Sequence, residues 1–165
     1  MKNEARLPTV TLELQVAAHA PELFPLLHDE AVHEFIDSKP PRSEEELRQR
    51  LSKLETRQSP DGSEQWLNWV IRRSTGQVVG YVQASVEADR TAEIGFVLGA
   101  PYWGEGLAFA ATKAMLELLA NGFGVTNVSA SADSANLRSI KLLERLGFQL
   151  FSSDDPQDIV FRRDI

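Results

Sequence analysis

The chain contains no cysteine. That absence excludes disulfides, thiolate metal sites and a cysteine nucleophile, and it suits a reducing compartment. No apolar run approaches the roughly 18 residues that a membrane helix needs, so no membrane partner is expected. The opening stretch, residues 1–10, has no apolar core of the kind a secretory signal carries. A cytoplasmic location is the resulting expectation. Neither internal repeats nor low-complexity tracts are present. Cations are in deficit: 17 Lys and Arg stand against 24 Asp and Glu, a formal charge of -7. Nucleic-acid binders normally carry a basic face, so no nucleic acid is expected as partner. The deficit does not exclude a phosphate-bearing ligand, because backbone N–H groups at a helix N-terminus hold phosphate without Lys or Arg. It also favours a cationic substrate by long-range attraction.

What is present reads as one domain over residues 1–165, with its core at about 9–163. Residues 9–15 alternate apolar and polar as a half-buried strand does. Pro21 to Leu27 reads as a short helix, and Lys39-Pro40-Pro41 as a firm break. Ser43 with Glu46 forms a capping-box start for a helix reaching about Arg57. Strands follow at 65–72, 77–86 and 92–98, the first two joined by Ser74-Thr75-Gly76. Trp66 and Trp69, on the first of these, are read as sharing a face in the core. The period then becomes helical through Leu107, Ala111, Ala114, Met115 and Leu118, and Asn121-Gly122 reads as the stop. A strand at 125–131, a helix at 136–146 stopped by Gly147, and two short strands complete the order β-α-α-β-β-β-α-β-α-β-β. The fold class is therefore α+β (mixed α/β), with a sheet antiparallel at first and parallel where helices connect strands.

Two segments carry chemistry. In the first, a strand ends near Leu98, a Gly-Ala-Pro turn follows, and Gly104-x-Gly106-x-Ala108 opens a helix. Small residues there let backbone approach a ligand closely, and the helix dipole favours negative charge. This is a sound seat for a diphosphate, although a plain tight turn has the same look. It lacks the Gly-Lys-Ser/Thr of a Walker loop and is not GxGxxG on a first βαβ strand. In the second segment, Asn136 and Ser139 lie three apart in the first turn of a helix, on one face. Asn136 also suits a simple N-cap.

Together these segments resemble the GNAT superfamily of N-acetyltransferases, most closely its RimJ/RimL-like branch of ribosomal-protein alanine acetyltransferases. Tyr102-Trp103-Gly104-x-Gly106-x-Ala108 is similar to the cofactor loop of that branch. Asn136-x-x-Ser139 followed by Leu146-Gly147-Phe148 is similar to its later helix. Ala92 to Phe96 and Val79-Gly80-Tyr81 fit as well, and the element order agrees over nearly the whole chain.

The resemblance implies a sheet splayed between the fourth and fifth strands, and acetyl-coenzyme A as co-substrate, with no metal. Backbone amides of Trp103, Gly104, Glu105, Gly106, Leu107 and Ala108 would bind its pyrophosphate. The strand Phe96, Val97 and Leu98 would bond to the pantetheine arm, with Asn136 assisting and Ser139 near the sulfur. The partner it implies is an amine acceptor, a peptide N-terminus or a small molecule, and relatives are commonly homodimers. The family's frequent tyrosine acid in the last helix has no counterpart here, since Tyr81 and Tyr102 are the only tyrosines.

Direct transfer to an amine needs a base, a polarised carbonyl and a proton for the leaving thiolate. Glu93, on an otherwise apolar strand leading to the loop, is the candidate base; facing solvent is its bland alternative. Ser139 is the candidate acid. His19, His28 and His33 border the region where the acceptor would enter and read as surface residues. An α-amine with pKa near about 7.8 is roughly a tenth neutral at pH 7, whereas lysine near about 10.4 is almost wholly protonated. A site without an obvious strong base therefore leans toward an N-terminal α-amine or a small amine of low pKa.

Overall fold

Seven strands and four α-helices arrange themselves around one mixed sheet in this structure, a computed structural model that describes residues 6–165. Residues 1–5, the start of the stretch read above as lacking a secretory signal, lie outside the described residues. The strands are β1 (Val10–Leu14), β2 (Glu64–Arg73), β3 (Val78–Glu87), β4 (Thr91–Leu98), β5 (Asn127–Ala132), β6 (Gln149–Ser152) and β7 (Ile159–Asp164). The helices are α1 (Ala20–Leu27), α2 (Glu44–Leu54), α3 (Leu107–Phe123) and α4 (Leu137–Arg145). Short 3-10 turns occupy Ala17–His19, Glu30–His33 and Ala100–Tyr102. This is the expected element order.

The sheet order is β1-β2-β3-β4-β5-β7-β6. Tight turns keep β2, β3 and β4 antiparallel, and β7 returns between β5 and β6. Only β4 and β5 run parallel, because α3 carries the chain back across the sheet between them. Parallel neighbours require such a crossover.

Side-chain alternation splits the strands between two cores. On one face Leu67, Trp69 and Ile71 of β2 and Ile94 and Leu98 of β4 pack with Met115 and Leu119 of α3 and Leu143 of α4. On the other, Val70 and Val78 pack with Leu23 of α1 and Leu47 and Leu51 of α2. Trp66 and Trp69 therefore do not share a face. Three residues apart on a period-two strand, they point oppositely: Trp69 is buried, and Trp66 is half-buried with its indole N–H donating to Glu64 at 2.8 Å.

Ser43 caps α2 as expected, its hydroxyl accepting from the Glu46 N–H at 3.1 Å. That helix stops at Leu54, short of Arg57, which takes a left-handed φ of 56°. Asn121-Gly122 does not end α3. The helix runs on to Phe123 and is closed by Gly124 at φ 64°, the left-handed conformation that a C-terminal glycine reaches without a steric cost.

Candidate active site

Two strands that part create the site. β4 pairs with β5 only from Thr91 opposite Asn127 to Ile94 opposite Ala130. Past that point β4 continues beside β3 as far as Leu98 opposite Gly80, and β5 continues beside β7 to Ala132 opposite Ile159. A wedge opens between Gly95–Leu98 and the end of β5.

In an antiparallel pair, alternate residues turn their N–H and C=O toward the partner strand. The Gly99 N–H donates to the Val79 carbonyl at 2.8 Å, which sets the phase. Gly95 and Val97 thus address β3 with their backbone groups, while Phe96 and Leu98 address the wedge. Two contacts agree. The Leu98 carbonyl accepts from the Trp103 indole N–H at 2.8 Å. A Cβ placed on Gly80 of β3 would meet the Val97 carbonyl oxygen at 2.1 Å. Of the three strand residues expected to bond a ligand, two direct backbone groups into the wedge. Val97 presents its side chain on the α1/α2 face.

At the wide end of the wedge stands the N-terminus of α3. Gly104 and Gly106 hold φ of 82° and 79°, left-handed values that a side chain would strain. Gly106 is the N-cap and offers no side chain to the first turn. The opening N–H groups of the helix therefore lack an internal partner and carry its positive dipole end. The Trp103 N–H is already taken by the Ala100 carbonyl at 3.2 Å, so the free amides begin at Gly104. Glu105 is exposed, 3.7 Å from Arg73.

Asn136 caps α4 reciprocally with Ser139. Its Oδ1 accepts from the Ser139 N–H at 3.3 Å, and its Nδ2 donates to the Ser139 hydroxyl at 3.0 Å. Because that hydroxyl accepts from Asn136, its own hydrogen is available to another acceptor. Both residues line a cavity of about 670 Å³ that passes through the wedge.

That cavity gathers most of the expected site. It is lined by Phe96, Val97, Leu98, Trp103, Gly104, Gly106, Leu107, Ala108, Asn136 and Ser139. Glu105 and Glu93 are not among its lining residues. Glu93 is exposed, opposite Ser85 of β3 and Ser129 of β5, and lies on the same sheet face as Gly95 and Val97, just up the strand from the cavity. It is at the edge of the site and not within an apolar pocket.

Sequence reasoning missed several lining residues. Six residues between 31 and 38, all but His33 and Glu34, wall the cavity on the α1/α2 face, together with Tyr81 and Gln83 of β3. Burial pushes the Tyr81 phenol up to about 12, so it remains a neutral hydrogen-bonding group. Arg138, Lys141 and Arg145 of α4 line the other side. The Arg138 guanidinium lies 3.4 Å over the Trp103 ring and that of Arg145 lies 4.6 Å over Phe109. The spacing of these three cations, three and then four residues, is that of one helix face and could have disclosed them. Nothing in residues 31–38 carries a comparable period.

A parallel strand pair that separates, a glycine-capped helix at its opening and a polar cap on the next helix together define a class. The chain belongs to the acetyltransferase (GNAT) domain family, whose model matches residues 9–149. A Bacillus licheniformis protein named as an uncharacterized N-acetyltransferase, p20, is 30% identical over 82 residues. That match covers 48% of this chain and about half, 46%, of the relative. Solved structures share the fold. An aminoglycoside acetyltransferase in complex with coenzyme A superposes with a TM-score of 0.76 at 21% identity, covering 94% of this chain and 95% of its own. Spermidine N-acetyltransferase from Vibrio cholerae, solved with coenzyme A and spermine, gives 0.75 at 17% identity, with 94% of each chain covered.

Proposed function

We propose that this chain is an enzyme that transfers an acetyl group from acetyl-coenzyme A directly to a primary amine. The observation that carries the reading is the wedge between β4 and β5 opening onto the glycine-capped start of α3. An extended amide arm fits an unpaired strand edge, and a pyrophosphate fits unpaired helix amides. The co-substrate supplies an activated thioester; the remaining chemistry falls to side chains and backbone of this protein.

Amides from Gly104 to Ala108 hold the pyrophosphate, and the N-terminal dipole of α3 adds to that attraction. Arg138, Lys141 and Arg145 supply positive charge on the same side of the cavity. Phe96 and Leu98 present the backbone groups that align the pantetheine arm, and a strand N–H polarises the thioester carbonyl. Asn136 holds Ser139 so that its hydroxyl hydrogen points away from the cap and is free to meet the leaving sulfur. The amine nitrogen forms a bond to the acetyl carbon as the carbon–sulfur bond breaks. Its proton passes through water to Glu93 at the open edge, and the thiolate takes one from water, relayed through the Ser139 hydroxyl. No acetylated enzyme is needed, in keeping with a chain that has no cysteine.

The Tyr102-Trp103-Gly104-x-Gly106-x-Ala108 run supports placement in the RimJ/RimL-like branch. A base reached through water favours an amine that is partly neutral near pH 7, a peptide α-amine or a small amine of lowered pKa. A cytoplasmic location belongs to the same proposal. Among the described residues, no helix is long and apolar enough to cross a membrane.

The test is thiol release from acetyl-coenzyme A, followed with a colorimetric thiol reagent against which this cysteine-free chain gives no background. The acceptors are N-terminal peptides, lysine peptides, polyamines, aminoglycosides and amino acids. Amine-dependent release is the expected result. Tight cofactor binding with no release from any amine replaces the enzyme by an acyl-coenzyme A sensor.

A further inference from the structure

The cations of the cavity are confined to one part of it. Every cation that lines it, Arg138, Lys141 and Arg145, stands on α4, on the α3/α4 face of the sheet. Asp133, just before α4, lines the cavity there too, its carboxylate accepting from the Ala135 N–H at 2.8 Å. The opposite half is walled by Ala31, Val32, Phe35, Ile36, Asp37 and Ser38 and by Tyr81 and Gln83, and its one charged lining residue is Asp37. Among the described residues Asp37 enters no ion pair. The segment that presents it is braced. The two ring nitrogens of His33 lie 2.7 Å from the carbonyl oxygens of Leu27 and Ser38, joining the end of α1 to the residue after Asp37. Glu93 adds a second carboxylate at the edge of the same half, and Tyr81 stays neutral there.

A free carboxylate held at one end of a cavity selects for a positive group and against a negative one. An acceptor bearing a carboxylate would meet Asp37 with no cation on that half to receive it. An acceptor bearing a second ammonium would find its counter-charge already in place. We infer that the amine acceptor is a small molecule with a second positive charge, and that Asp37 is the residue that selects it. The inference rests on the acetyl-transfer reading for the identity of the site, but the charge division stands apart from it.

The test uses three acceptors of one chain length that differ only at the far end: diaminobutane, butylamine and γ-aminobutyrate. Each is titrated calorimetrically into the full chain loaded with coenzyme A, for the natural protein and for Asp37→Asn, and each is assayed for thiol release at about pH 9, where a larger share of each amine is neutral. Asp37 is exposed, and an exposed ion pair corresponds to at most about a fivefold preference. Diaminobutane should bind up to about fivefold more tightly than butylamine, with γ-aminobutyrate weakest, and added salt should shrink the gap. Asp37→Asn should abolish the preference for diaminobutane over butylamine and leave coenzyme A binding unchanged. Equal binding of diaminobutane and γ-aminobutyrate, no binding of any of the three, or a preference that survives Asp37→Asn overturns the inference. The binding order without thiol release overturns acetyl transfer and leaves the charge selection intact. Thiol release with γ-aminobutyrate preferred does the reverse.

Discussion

Under the proposed mechanism Ser139 is structural and chemical through different atoms. Its N–H completes the cap of α4 by donating to Asn136 Oδ1, while its hydroxyl is a second, separable group. Ser139→Ala keeps the first interaction and removes the second. Thermal or urea unfolding should move by no more than about 0.5 kcal/mol, as for a substitution outside a packed core. The turnover number should fall about a hundredfold if the hydroxyl assists proton transfer to sulfur, with the KM for acetyl-coenzyme A little changed. Loss of stability with unaltered turnover assigns the hydroxyl to the cap alone. Residues of this kind were legible in the sequence because they sit at punctuation: glycines before a helix, an asparagine starting one. Asp37 was not legible. It lies in an irregular segment with no period, and only the fold brings residues 31–38 against β3 and β4. At Glu93 the sequence left burial and solvent exposure both open. Its apolar neighbours suggested burial, but on a strand those neighbours face the other way.

At the scale of elements, β1, β2 and α1 are tied by one cation. Arg72 of β2 binds Glu13 of β1 directly and Glu22 of α1 at 2.8 Å. Hydrogen bonds from Arg72 hold both carboxyls below their ordinary value of 4.5. A carboxyl whose pKa is lower in the folded state stabilises above its unfolded value, and that contribution is lost as pH falls through the folded one. Both glutamates are about a third exposed or more, so solvent screening limits the gain to about 1 kcal/mol for the pair. Arg72→Met retains the alkyl packing and removes the charge. Urea unfolding should show it about 1 kcal/mol less stable at pH 7, with the difference narrowing steadily below about pH 4.5. A gap that is constant from pH 7 to pH 3 would mean that packing, and not charge, carries the effect. Element types and order were readable from periodicity, and ends less so. Asn121-Gly122 has the composition of a stop, but a glycine inside a helix is only mildly costly. Gly124 provides the left-handed residue that closes the turn. The tryptophans of β2 were misplaced for a simpler reason: a spacing of three means one face on a helix and two faces on a strand.

For the molecule as a whole, the sheet separates two half-sites and the wedge joins them. One half opens on the α3/α4 face, where helix amides and α4 cations favour an anionic ligand; the other opens on the α1/α2 face beside Asp37. Under the proposed function each substrate has its own wall, and neither must leave before the other enters. Such an arrangement specifies a kinetic mechanism. If both substrates meet within the wedge, initial rates measured at several fixed amine concentrations give intersecting double-reciprocal lines. Coenzyme A, a product, should then compete with acetyl-coenzyme A but not with the amine. A protein acetylated on its own side chain before the amine arrives would instead give parallel lines, the mark of a ping-pong sequence. It would also retain an acetyl mass after incubation with acetyl-coenzyme A alone. The chain has no thiol to carry such a group, and the hydroxyl nearest the proposed sulfur position has no neighbouring histidine or carboxylate among its hydrogen-bond partners to activate it. Intersecting lines and an unmodified mass are the expected pair of results. Parallel lines would relocate the chemistry from the wedge between two bound substrates to a nucleophile on the protein.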